Sequence, residues 1–317
     1  MVSVTFLAAV LLLNSSSQGL SDLITKDDNS AERGRRQGVG YPEMVCGPLG
    51  PNEHFSYNPV ASDGVDKWWW QWKCCGGKLQ SPIALDRRAA RCLTASTPLY
   101  TGPPLLLAKL YNTGHDVQVT VVQAVSPVQL RNVGQTDLWS RYTLDNVHIH
   151  FGNQYSRGSE HVIDGQAFQA EMHLVHYNDK YGSLEQAMVH RDGLAVIAVT
   201  VSTERGDLNT HWADLLLAIS TLRGSGESSA VPFQLMPDRL LPVRRDLFYY
   251  RGSLTTPSCS ETVQFMVMEH PLLISAAMLQ MLWSLPSDVP GVPISRNTNI
   301  RPLQPDNGRT VNTNFFC

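Results

Sequence analysis

The stretch Asn146-Val147-His148-Ile149-His150-Phe151-Gly152 limits what this chain can become more than any other. In an extended strand alternate side chains share a face, so His148 and His150 point the same way, with Cβ atoms roughly 7 Å apart. Two imidazoles at that spacing can grip one ion. A catalytic zinc, however, takes three protein ligands and keeps a fourth position for water, so a third donor must come from elsewhere. The run Glu171-Met172-His173-Leu174-Val175-His176-Tyr177 supplies it. Read as a strand, it places Glu171, His173 and Val175 on one face and Met172, Leu174 and His176 on the other. His173 is the expected third ligand. Glu171 sits where it can accept the second ring N–H and fix the tautomer, and Asn146, two residues before His148 on the same face, can do the same. Three neutral imidazoles leave a Zn2+ ion its full charge, which favours acidification of a bound water and hydroxide chemistry near neutral pH. A closed structural site would need a fourth ligand, and neither His176 nor any cysteine is placed to give one.

With 317 residues, 43% of them hydrophobic, the chain can bury one large core or two modest ones. Its net charge of -3 gives no electrostatic reason to expect nucleic acid or an anionic membrane as partner, and the implied substrate is a small molecule. The apolar run Val2 to Leu13 is too short to span a bilayer and reads as a secretory signal peptide over residues 1–17. No other run is long enough for a membrane span, so the expectation is a secreted, extracellular, soluble protein. Residues 18–53 read as a polar leader, with a candidate processing site in Arg33-Gly34-Arg35-Arg36 that would free a new start at Gln37. Residues 54–317 form the expected single domain. In such a setting the six cysteines (Cys46, Cys74, Cys75, Cys92, Cys259 and Cys317) favour disulfides, but spacing alone cannot choose among fifteen connectivities.

Within that domain, strands are expected at Asp116–Val122, Tyr142–Phe151, Ala167–His176 and Gly193–Val201, giving a sheet-rich, mainly β (α+β) class. Helices are expected at His211–Leu222 and, after Pro271, at Leu273–Leu285, both packing one face on the core. The cluster Trp68-Trp69-Trp70-Gln71-Trp72 is expected to be core.

Seven motifs together resemble the α-class carbonic anhydrases: Gln80-Ser81-Pro82-Ile83, Asn112-Thr113-Gly114-His115, Val147 to Gly152, Gly158-Ser159-Glu160-His161, Ala170 to His176, Tyr250 to Pro257, and Arg301-Pro302-Leu303-Gln304-Pro305. The resemblance implies a single domain around a large twisted, mostly antiparallel central sheet with short surface helices and a metal in a conical cleft. It implies reversible hydration of carbon dioxide by zinc-bound hydroxide. His148, His150 and His173 would hold the zinc. Thr255 would be the gatekeeper, donating its hydroxyl proton to Glu160, and His115 the proton shuttle, a role suited to imidazole because its ordinary pKa is close to neutral. Tyr57, Asn112 and Gln118 would form the polar wall that orders water. Val175, Val196, Leu254 and Val263, with Thr256 and with Phe265 where the family commonly has Trp, would line the carbon dioxide pocket. Cys75 and Cys259 fall where secreted members form a disulfide. One further bond is expected among Cys46, Cys74 and Cys92, leaving Cys317 for a disulfide-linked dimer. The rival readings are a catalytically weak binding or matrix protein that kept the fold, and a zinc hydrolase of esters or peptides. The intact histidine set argues against the first, and the engagement of Glu160 by Thr255 against the second.

Overall fold

The computed structural model describes residues 43–50, 53–93, 97–102, 108–121, 127–133, 140–204, 210–231, 235–296 and 298–315. The expected signal peptide and the basic cluster ending at Arg36 lie outside them. The backbone of the domain is one large sheet. Among the described residues, the main path of this 13-stranded sheet runs through β1 (Arg91–Cys92), β2 (Ala108–Asn112), β3 (Val117–Val121), β4 (Tyr142–Phe151), β5 (Ala170–Asn178), β6 (Leu194–Ser202), β7 (Ser228–Ala230), β8 (Leu247–Gly252), β9 (Val263–Met268) and β10 (Asn312–Thr313), in the spatial order β7-β2-β3-β4-β5-β6-β9-β8-β10-β1. Along this path only the pairings of β6 with β9 and of β10 with β1 are parallel. The expected mostly antiparallel sheet is therefore present.

All four expected strands form, with ends shifted by up to three residues. The central ones are buried on both faces, and the two faces build different cores. Val147, Ile149, Phe151, Met172 and Leu174 point into the larger core, which also takes Trp212, Leu215, Leu216 and Ile219 from helix α1 (Thr210–Ile219) and Leu279 and Leu282 from helix α2 (Ala276–Trp283). Val175, Val196, Val263 and Phe265 point to the other side. Both helices start and stop differently from the sequence expectation. Leu272–Leu273 pairs in parallel with Val201–Ser202, which keeps it extended, and Ser275 then caps α2 by accepting from the Met278 N–H at 3.2 Å.

The tryptophan cluster corrects an expectation. Trp68 is 1% exposed and packs edge-on against Phe55 and Tyr57, but Trp69 and Trp70 are 59% and 70% exposed. Residues 68–71 form a single helical turn, in which successive side chains diverge by about 100°, so only one indole can face inward.

Residues 43–50, expected to belong to a leader, are instead strapped to the domain. Cys46 is disulfide-bonded to Cys74, and the adjacent Cys75 to Cys259. The Met44 N–H donates to Glu261 Oε2 at 2.7 Å, the Glu261 N–H donates back to the Met44 carbonyl at 2.9 Å, and the Cys46 N–H donates to Ser260 Oγ at 3.0 Å. Glu43 pairs with Arg191 and Arg251. Cys92 is also disulfide-bonded, Cys317 lies outside the described residues, and the two disulfides with both partners described are intrachain, so the expected dimer link through Cys317 gains no support.

His176 illustrates the cost of burying an imidazole in the larger core. It is fully buried, with Nδ1 3.2 Å from the Ala195 carbonyl and Nε2 2.8 Å from Tyr100 Oη. Burial pushes its pKa down to about 4. An unfolded chain takes up this proton near pH 6.5 and the folded chain only near 4, so stability is lost as pH falls through that window, by roughly 3 kcal/mol in total. His176→Gln, which cannot titrate there, is expected to flatten the fall in urea-unfolding free energy between pH 6.5 and 4.5. Equal slopes in the two proteins would count against this assignment.

Candidate metal centre

The antiparallel register of β4 and β5 sets His148 directly opposite His173 and His150 opposite Glu171. A register shift between Leu144 and Asn146 is absorbed before the first histidine, so Asn146, His148 and His150 keep one face. The three imidazole rings gather with centroid separations of 5.0, 5.3 and 4.6 Å.

Each ring has one nitrogen engaged and the other turned inward. His148 Nδ1 meets Asn146 Oδ1 at 2.9 Å, His150 Nδ1 the Asn299 carbonyl at 2.7 Å, and His173 Nε2 Glu171 Oε1 at 2.7 Å. Since all three partners are acceptors, the engaged nitrogens carry the protons and the lone pairs sit on His148 Nε2, His150 Nε2 and His173 Nδ1. One ligand atom from each of the three residues lies within 4.8 Å of the others. His150 Nε2 is fully buried with no hydrogen-bond partner, an arrangement that is costly unless a cation meets the lone pair. Burial, reinforced by the neighbouring His150 and His173, holds His148 well below the ordinary histidine pKa, and burial likewise lowers His173. His148 and His173 are thus held toward the neutral form, the one that binds metal.

Behind His173, Glu171 is completely buried. Burial alone would raise its pKa, but the charge and hydrogen bond of His161 and the bond from His173 outweigh it and keep the group well below the usual carboxylate range. The backbone N–H of His161 donates to Glu171 Oε2 at 2.8 Å, and its Nδ1 lies 2.6 Å from Oε1. His161 Nε2 continues to Tyr250 Oη at 2.6 Å, and Tyr250 donates to Ser81 Oγ at 3.0 Å. This chain fixes the His173 ring from behind. Glu171→Gln is expected to weaken zinc binding 10- to 100-fold, measured by competition with a chromophoric chelator.

Glu160 is also fully buried. Its Oε1 accepts from the Arg301 N–H at 2.8 Å, while Oε2 lies 3.5 Å from His150 Nε2 and has no hydrogen-bond partner. The expected bond from Thr255 to Glu160 is therefore not formed here, because one carboxylate oxygen is taken by the backbone and the other is aimed at the imidazoles. Thr255 is 5% exposed on a loop anchored at both ends. Ser81 Oγ accepts from the Ser253 N–H at 3.1 Å, Gly252 approaches Ser81 too closely to admit a Cβ, and the Cys75–Cys259 bond holds the far side.

His115 is half-buried, stacked on Phe55 at 5.1 Å, and borders a cavity of about 310 Å3 that Tyr57 also lines. Burial and the Glu160 charge raise the Tyr57 pKa well above its ordinary value. Asn112 is fully buried, with Oδ1 accepting from the Gly114 N–H at 2.8 Å and Nδ2 donating to the Pro286 carbonyl at 2.9 Å. Gln118 lies opposite His148 across the β3–β4 pairing.

Val175 faces Val196 across β5 and β6, and Val196 faces Phe265 across β6 and β9. With Val263, and with Leu254 packed against them, they form one apolar cluster on the histidine side of the sheet. Thr256 is half-buried, and its carbonyl accepts from the Cys259 N–H at 2.8 Å. The Phe265 ring lies 5.9 Å from that of His173.

Sequence reasoning assigned no role to Asn299, Arg301, His161 or Tyr250. Asn299 holds His150 through its carbonyl and clasps β4 through its side chain, which accepts from the Phe151 N–H and donates to the Ile149 carbonyl. No sequence signal marks a residue that works through its backbone. The buried Arg301, whose guanidinium donates to the Ser81 and Cys75 carbonyls, lay in a quoted motif without a chemistry to suggest its task.

Comparison with known proteins agrees with this geometry. The family model of eukaryotic-type carbonic anhydrases matches residues 63–315. Carbonic anhydrase 6 of Canis lupus familiaris is 33% identical over 267 residues, covering 82% of this chain and 80% of its own. Carbonic anhydrase 3 of Bos taurus is 33% identical over 260 residues, with 80% and 96% covered. Carbonic anhydrase 12 of Homo sapiens is 36% identical over 265 residues, with 80% and 71% covered.

Proposed function

The chain belongs to the eukaryotic-type carbonic anhydrase family, and from that premise we propose that it catalyses the reversible hydration of carbon dioxide to bicarbonate and a proton, with zinc held by His148, His150 and His173. One observation carries this reading: three buried or half-buried imidazoles, each with its proton committed to an outer acceptor, bring one ligand atom each within 4.8 Å of the others, the three-ligand set of a catalytic zinc. When bound there, zinc supplies Lewis acidity, which makes water acidic enough to give a nucleophile at neutral pH.

The chain's own residues do the rest. Asn146, Asn299 and Glu171 hold the rings in the ligating tautomer. Glu160, whose Oε2 lies beside His150 without a hydrogen-bond partner, is the acceptor toward which the Thr255 hydroxyl turns when it orients the attacking oxygen. Val175, Val196, Leu254 and Val263 offer an apolar niche suited to a slim, nonpolar substrate, with Thr256 at its edge. His115, at the cavity with its ring stacked on Phe55, passes the released proton to buffer. Tyr57 and Gln118 line the route between them. The two disulfides, the further bonded Cys92 and the apolar run 2–13 support an oxidising, extracellular location. Among the described residues no helix is long and apolar enough to cross a membrane.

A stopped-flow carbon dioxide hydration assay on the purified protein, with and without a zinc chelator, tests the reading. Chelator-sensitive hydration is expected, and a zinc-loaded protein with no activity would overturn it in favour of a binding role. In the same assay His115→Ala is expected to lower turnover about tenfold or more in weak buffer and to recover when small imidazole buffers are added.

A further inference from the structure

A second set of metal-ligating side chains lies away from the histidine triad. Asp246 immediately precedes β8, and Glu269 and His270 immediately follow β9. These strands are antiparallel, with Leu247 opposite Met268, and the Glu269 N–H donates to the Asp246 carbonyl at 2.9 Å. The ladder itself therefore sets the two acids side by side. His270 Nε2 lies 3.2 Å from Asp246 Oδ2 and 2.6 Å from Glu269 Oε2, and one ligand atom from each residue falls within 4.8 Å of the others.

Glu269 is the telling member. It is 7% exposed, and its Oε2, although close to His270, makes no aligned hydrogen bond to anything. Its other oxygen is held by Arg87 Nε at 2.6 Å, and Arg87 is in turn paired with Asp164. The carboxylate is thus oriented from behind, with its buried second oxygen set against the imidazole. Arg244, whose side chain is 70% exposed, donates to Asp246 Oδ2 at 2.7 Å.

We propose that Asp246, Glu269 and His270 form a second divalent-cation site for an ion of the zinc type. One imidazole with two carboxylates suits zinc and its transition-metal neighbours, whereas calcium and magnesium take oxygen alone. With ligand bonds of 2.0 to 2.2 Å, tetrahedral donors stand roughly 3.4 Å apart, so the Asp246–His270 spacing needs little change and the Glu269–His270 spacing opens by under about 1 Å. The site lies at the end of β8 opposite to Gly252 and the Thr255 loop, about 20 Å along the strand. Ion binding there ties the ends of β8 and β9 together and is independent of the catalytic zinc.

The test is calorimetric titration of the zinc-containing protein with zinc chloride, followed by metal counting after dialysis against micromolar zinc. Wild type is expected to take one further equivalent, and His270→Ala to weaken that event on the order of 100-fold while leaving hydration without added zinc unchanged. Glu269→Gln, checked for folding by its melting curve, should do the same. Absence of a further equivalent in the folded wild type overturns the proposal, as does one that survives both substitutions. Loss of the first equivalent with retention of the second would instead refute the triad as the zinc site.

Discussion

His173→Ala is expected to lose its zinc and with it all hydration above the uncatalysed background. His173 is the one ligand contributed by β5, and the register that places it opposite His148 offers no substitute, since His176 faces the larger core and Glu171 is engaged by His161. Two imidazoles from one strand would remain with two open positions, a set that binds zinc far more weakly. The fold should survive, because the ring lies on the side of the sheet away from the core that α1 and α2 cover. Zinc content and stopped-flow rate measured on one preparation would decide the matter. Full zinc retention in this variant would mean that the metal sits elsewhere.

The second large effect is on stability. Replacing both Cys75 and Cys259 by Ser removes a crosslink that spans 184 residues. On the chain-entropy account a loop of that length contributes about 5 kcal/mol by restricting the unfolded ensemble, an upper figure because residual structure in that ensemble reduces it. The double variant is expected to unfold at a markedly lower denaturant concentration, and a change below about 1 kcal/mol would rule out this source of stability. Hydration should fall as well, since Thr255 lies four residues before Cys259 on the loop that the bond holds.

Alternation made the centre of this molecule readable. His148, His150 and His173, with Glu171 and Asn146, follow from a period of two and the needs of an open zinc site, and the structure sets them where that period requires. The four long strands were visible for the same reason, and α1 showed its apolar spacing. The departures arise where the deciding interaction is not periodic. One helical turn turned Trp69 and Trp70 to solvent, and strand pairing kept Leu272–Leu273 out of α2. Asn299 acts through its carbonyl, and no side-chain pattern reports that. Residues 43–50 show neither helical nor strand periodicity, and their partners, Ser258, Ser260 and Glu261, lie more than 200 residues away.

That last segment bears on where this protein can be cut. The family match begins at residue 63, yet the cooperative unit reaches back at least to Glu43, because Cys74 and Cys75 join the strap and the Thr255 loop to one dipeptide. A version trimmed to the matched region would leave Cys74 unpaired, strip Glu261 and Ser260 of backbone donors, and expose the underside of the loop that carries Thr255. The smallest piece that can be expected to fold and turn over is therefore set by covalent topology and not by similarity to relatives.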